Sequence, residues 1–258
     1  MNIFKIIQDI EQVDPEVYER LNSRRSAFNF LGKAAIAAAP LALGSIFQKA
    51  YGKTNDAVTD VLNFALTLEY LESEFYTMGL ASTMNFGNQR AAFMQISKHE
   101  TAHVALLKGA LGANAVSKPT FDFTAKGNFL DVFTNLATFT TLAQAFEDTG
   151  VRAYKGQAGN LMTNKDVLTI ALQIHSVEAR HASFVRRYRG QKGWISGKDG
   201  GNIPAAAQAI YNGEENTTQG GATKAMYAAI YPDALVSEAF DEPLAKEDVL
   251  TIAKLFIV

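Results

Sequence analysis

At 258 residues, 48% apolar and 19% charged, the chain carries enough apolar material to bury a sizeable core. A net charge of -2 and a pI near 6.1 give no electrostatic footprint for nucleic acid, which is excluded as a partner. With no cysteine, disulfides, thiolate nucleophiles and sulfur-ligated metals are excluded too, so any metal must be held by oxygen and nitrogen.

Residues 1–55 read as an N-terminal region. Arg24 and Arg25 precede an Ala-rich run, within residues 23–44, that contains no acidic residue. That order resembles a twin-arginine signal and predicts export to the periplasm. Phe28 lies one position later than the usual pattern has it and no clear A-x-A cleavage site follows, so the alternative is a helical arm on a cytoplasmic protein. The apolar run over 31–46 is interrupted by Lys33 and Pro40 and falls short of the roughly 20 residues a spanning helix needs. A membrane therefore enters only through an uncleaved signal.

From Asp56, apolar residues at helical intervals (Val58, Leu62, Leu66, Phe75) predict a helix to Leu80, with Asp56 as its N-cap. A turn over 82–89 leads to a second helix over 90–111, closed by Gly112. Residues 112–127, with Pro119, are too long for a hairpin loop and read as a crossover. A third helix over 128–157, a turn over 158–164 and a fourth helix over 165–189 follow. Two helical hairpins joined by one crossover predict an all-α four-helix bundle over 56–190. The remainder, 191–258, offers short helices at 205–211, 223–230 and 246–257, and reads as an extension packed on the bundle.

Laid over each other, the two hairpins share one offset. Glu69 and Glu147, Tyr76 and Tyr154, Glu100 and Glu178, and His103 and His181 are each 78 residues apart. In an antiparallel pair, residues equally far from the turn lie level. Glu69 and Glu100 flank the first turn at equal distance, and Glu147 and Glu178 flank the second. The four glutamates can therefore meet halfway along the bundle interior. Four buried carboxylates repel one another and resist desolvation, so a positive partner is required. Two divalent ions would neutralise them, with His103 and His181 as neutral nitrogen ligands.

The stretches "LNFALTLEYLESEFY" (62–76), "HETAHVALLKGALG" (99–112), "FEDTGVRAY" (146–154) and "SVEARH" (176–181) resemble the ferritin-like superfamily, specifically its exported, desiccation-related members. "AFDEPL" (239–244) resembles the tail of the same group. The resemblance implies a ferritin-like bundle with two iron ions, or manganese or a mixed pair. It implies Glu69 and Glu147 as terminal or bridging ligands, Glu100 and Glu178 as bridging ligands, and His103 and His181 as terminal ligands. Tyr76 and Tyr154 would be hydrogen-bond partners of those ligands. Dioxygen or peroxide, and ferrous iron, are the implied partners. The implied roles are an oxidoreductase of ferroxidase or peroxidase type and, alternatively, a non-catalytic stress-protection or metal-holding protein.

His99, Glu100 and His103 also spell H-E-x-x-H, the motif of zinc proteases. Val177 stands where the repeat would need a second copy of His99, which favours His99 on the surface or beside the ligands, with His175 in the same class. Glu72 and Glu74 have Gly150 and Arg152 as counterparts and read as a solvated face. Asp148 is a weak candidate for orienting a ligand histidine, and "RRYRG" (186–190) reads as a charged helix end.

Overall fold

A computed structural model describes residues 56–221, 226 and 231–258. The arginine pair and the apolar run after it lie outside the described residues, as does most of the 223–230 candidate. Among the described residues there is no strand, only two isolated bridges, and no helix is long and apolar enough to cross a membrane. The fold is an all-α bundle of four long helices: α1 (Asp56–Ala81), α2 (Arg90–Leu111), α3 (Leu136–Gln157) and α4 (Lys165–Tyr188). Asp56 is the first described residue of α1, and the residue before it lies outside the described residues. The caps of α3 and α4 are Asn135 and Asn164, whose side chains accept from Ala137 N and Val167 N.

Helix α3 begins eight residues later than the apolar spacing predicts. The Asp122 carboxylate accepts from the backbone N–H groups of Thr124 and Lys126 and from the Thr124 hydroxyl. That turn drives Ala125, Lys126 and Gly127 into positive φ, which a helix cannot continue through. Phe129 and Val132 are nevertheless buried, so the helical spacing marks turns that plug the end of the bundle. The crossover is accordingly longer than expected.

Two apolar clusters fill the bundle, one at each end. Leu71, Phe75, Phe93, Ile96, Phe139 and Phe146 belong to the first. Leu62, Leu66, Leu107, Leu111, Val167 and Ile174 belong to the second. Each helix changes from one cluster to the other across a buried acid: Glu69, Glu100, Glu147 and Glu178. A polar layer thus lies between two apolar plugs, which exclude water and raise every electrostatic interaction between them.

The extension covers one side of the bundle. A 3₁₀ helix (Ala205–Tyr211) and two short helices, α5 (Asp233–Ser237) and α6 (Lys246–Ala253), precede the end of the chain. Ile210, Tyr211, Leu244, Val249 and Ile252 pack with Phe64 and Leu68 of α1 and Ala145 and Ala153 of α3. Gly156 is required here, because a Cβ on it would stand 2.0 Å from the Leu244 carbonyl oxygen. Helix α6 stops at Ala253, four residues before the predicted end, because the chain then pairs with the crossover. Asp122 N donates to Phe256 O, and Val258 N donates to Thr120 O.

Candidate metal centre

Each of the four long helices delivers one glutamate to the polar layer, and α2 and α4 add a histidine one turn later. All four glutamates are fully buried, and His103 and His181 are nearly so. Their atoms form two overlapping groups of donors. Glu69, Glu100, His103 and Glu178 make one; Glu100, Glu147, Glu178 and His181 make the other. Within each group the donor atoms lie within 4.8 Å of one another. A cation about 2.1 Å from each donor places opposite donors about 4.2 Å apart, so each group has the size of a coordination shell.

The shared residues are the two glutamates of the E-x-x-H motifs. Glu100 turns Oε2 to His103 Nδ1 (3.1 Å) and Oε1 to His181 Nδ1 (2.8 Å). Glu178 turns Oε1 to His103 Nδ1 (3.1 Å) and Oε2 to His181 Nδ1 (3.6 Å). Glu69 and Glu147 serve one group each: Glu69 Oε2 stands 3.1 Å from His103 Nδ1, and Glu147 Oε2 stands 3.3 Å from His181 Nδ1. Their second oxygens are taken. Tyr154 OH donates to Glu69 Oε1 and Tyr76 OH to Glu147 Oε1, both at 2.5 Å, so each tyrosine serves the opposite half.

These residues fit a pair of cations. Glu100 Oε1, Glu147 Oε2, both oxygens of Glu178 and His181 Nδ1 are buried without a hydrogen-bond partner. His103 Nδ1 is hydrogen-bonded to Glu69 Oε2 and Glu100 Oε2, but the other histidine–carboxylate approaches, though short, are not aligned as hydrogen bonds. Orphaned buried acceptors of this kind cost about 1–3 kcal/mol each, more when charged, and a cation between them satisfies them together. Electrostatics agree. Burial, with Glu178 nearby, holds Glu100 up at about 7. Burial also raises Glu147, to about 8, against the pull of His181. Burial opposes charge on His181, yet Glu147, Glu100 and Glu178 outweigh it and push the imidazole up to about 12. His103 is raised in the same way, burial being overcome by Glu69, Glu100 and Glu178. Protons on these imidazoles neutralise the acids, and cation uptake displaces them.

Around this set the structure sorts the remaining candidates. His99 is half-buried beside a ligand: its Nδ1 lies 2.9 Å from His181 Nε2, and its Nε2 lies 2.8 Å from the exposed Gln95 amide. His99 therefore touches only the second nitrogen of His181 and is in neither donor group, which removes the single-ion H-E-x-x-H reading. His175 points elsewhere, to the Val151 carbonyl.

One expectation is overturned. Glu72 is buried, 3% exposed, and belongs to no solvated face. Its signal in the sequence was its counterpart Gly150, a glycine inside a helix, where it costs about 1 kcal/mol relative to alanine. A Cβ there would meet Glu72 Oε1 at 3.2 Å. Asp148 orients no histidine; it accepts from Arg186 and Tyr211. Arg186 and Arg187 do lie in the last turn of α4, the charged helix end that the sequence predicts, with Arg186 buried against Asp148 and Arg187 exposed.

Searched against curated proteins, the chain finds no match. Residues 57–191 match the family model described as a ferritin-like domain, which covers all four long helices and the whole donor set. With more than half its length matched, the chain belongs to the ferritin-like domain family.

Proposed function

We propose that the polar layer holds two redox-active divalent ions, iron or manganese or one of each, and that the protein acts on dioxygen or peroxide. The observation that carries this reading is the sharing of Glu100 and Glu178 between two donor groups, one histidine in each. Oxygen-rich ligation with one imidazole per ion suits iron and manganese better than copper or a sulfur-seeking metal. Bound there, such ions would supply the two electrons that reduce dioxygen to peroxide or peroxide to water.

The chain's own residues set the rest. Glu100 and Glu178, shared by both donor groups, would hold the two ions as neighbours. Tyr76 and Tyr154 hold Glu147 and Glu69 in place through single oxygens, leaving the others free to ligate. Burial, with Glu147 and Glu69 foremost among the neighbouring acids, keeps both phenols protonated, so they donate and do not compete as ligands. The cavity beside Glu72, about 20 Å³, has room for about one water.

Export by the arginine pair and a role in oxidative or desiccation stress complete the proposal. Metal analysis of the purified protein, then stopped-flow absorbance after mixing the ferrous form with dioxygen or peroxide, tests it. Two ions per chain and an oxidation transient are expected. Two ions without a transient would leave a metal-holding protein, and no bound metal would sink both readings.

A further inference from the structure

Glu72 is the buried acid that the two donor groups leave unused. It lies one turn after Glu69 on α1, is 3% exposed, and has no hydrogen bond or ion pair among the described residues. Its carboxylate reaches across to α3, where the missing side chain of Gly150 makes room for it. The Cβ position of Gly150 is 3.2 Å from Glu72 Oε1 and 3.7 Å from both Cγ and Oε2 of Glu178. Glu72 and the shared ligand Glu178 thus crowd one spot. Leu68, Leu71, Phe146, Ile252 and Phe256 wall off the cavity on its far side with apolar surface.

An acid placed like this is costly. A lone carboxyl in an apolar wall loses its water and repels Glu178, Glu147, Glu69 and Glu100. The bundle has accepted that cost and added a mid-helix glycine to accommodate it. A hydrophobic side chain at this position would pack better unless the carboxylate has a partner that arrives with the ions. The twofold pattern of the site stops here: the other half offers Gly150, with no side-chain oxygen.

We propose that Glu72 is a seventh ligand, a fifth carboxylate carried by one half of the bundle only, which makes the two ion positions chemically inequivalent. The inference rests on the two-ion reading above. It assigns one position an additional hard oxygen donor, so the two ions differ in affinity and coordination number.

Cobalt(II) is the probe, followed by titration calorimetry and by visible absorption, whose intensity reports coordination number. Wild type, Glu72→Gln and Glu72→Asp are compared. Wild type should bind two cobalt ions. Glu72→Gln should weaken one of them by on the order of tenfold or more and change its absorption, leaving the other ion unchanged. Glu72→Asp keeps the charge but withdraws the oxygens by one methylene, and should behave like Glu72→Gln. If Glu72→Asp matches wild type while Glu72→Gln does not, Glu72 acts as a nearby charge and the ligand assignment is overturned. Unchanged affinities and spectra in both variants overturn it as well. A wild type that binds fewer than two ions overturns the two-ion reading itself, and this inference with it. Should Glu72→Gln fail to fold, by circular dichroism, the comparison of Glu72→Asp with wild type decides.

Discussion

The two hairpins carry the same inward residues and different outward ones. On α1, Asn63, Tyr70 and Glu74 hold the crossover: Asn63 pairs with Asn114 and Val116, Tyr70 OH donates to Val116 O, and Glu74 pairs with Lys118. Seventy-eight residues on, Tyr70 and Glu74 become Asp148 and Arg152, and Leu66 becomes Gln144. These hold the C-terminal extension. Asp148 binds Arg186 and Tyr211, Gln144 donates to Tyr211 and the Gly200 carbonyl, and Arg152 pairs with Glu214 and donates to three backbone carbonyls. The inward face answers to one demand, the arrangement of four carboxylates and two imidazoles, and is symmetric in those six residues, Glu72 opposite Gly150 being the exception. The outward face answers to whatever segment lies on it.

Symmetric positions should therefore respond symmetrically to mutation, and the largest effect belongs to them. Glu100→Ala and Glu178→Ala each remove a donor from both groups. Each should abolish two-ion binding in titration calorimetry, and to the same degree. A variant that kept one tight ion would show that the two carboxylates are not equivalently shared.

The next effect should be unequal. Arg152 and Glu214 are buried, 1% and 0% exposed at the side chain, whereas Lys118 and Glu74 are 50% and 26% exposed. Removing one partner of a buried pair strands the other, at about 3–5 kcal/mol. Breaking an exposed pair costs about 0–1 kcal/mol. Urea unfolding of Arg152→Met and Glu74→Gln, at equivalent places in the repeat, should show that gap. Equal losses would mean that the extension is no more firmly attached than the crossover.

How much of this the sequence disclosed follows from the same division. The inward face was legible because a ligand set restricts residue type, so matching glutamates, histidines and tyrosines stand out at one offset. The outward face was not, since Arg186 finds Asp148 from 38 residues away and Tyr211 reaches it from 63, with no local pattern to announce either. "RRYRG" therefore read only as a charged helix end, with nothing to show that Arg186 is buried against Asp148. Glu72 escaped for a related reason: type-matching registers residues present in both halves, and the mark of its burial is a side chain absent at Gly150. The start of α3 was misplaced because Phe129 and Val132 have helical spacing while lying in turns, and the Asp122 side chain that makes those turns gives no periodic signal.

A smaller and symmetric effect is expected at the tyrosines. Tyr76→Phe and Tyr154→Phe each free one oxygen of a glutamate without altering the packing of the ring. Loss of a hydrogen bond that orients a ligand weakens metal binding about 10–100-fold. Each substitution should weaken a different ion, Tyr76→Phe the one beside Glu147 and Tyr154→Phe the one beside Glu69, by similar factors in competition with a chelating dye. A large difference between them would place the asymmetry of the site deeper than the outward faces.

The smallest effect separates His99 from Val177, its counterpart in the repeat. Only His181 has a neighbour on its second nitrogen, His99 at 2.9 Å, and the chain of contacts continues to Gln95 at the surface. A ligand histidine whose far nitrogen is hydrogen-bonded keeps its ring orientation and gains basicity. His99→Ala should retain both ions and weaken the one at His181 by about tenfold, the low end of the usual range, because water can reach this half-buried position and replace the lost partner. Val177→Ala should shift neither ion, since nothing in the site leans on it. If His99→Ala removes an ion outright, His99 is itself a ligand and the site follows H-E-x-x-H. If it changes nothing, the edge-to-edge contact of His99 with His181, ring planes 12° apart, is packing alone, and the two halves are more alike than their sequences.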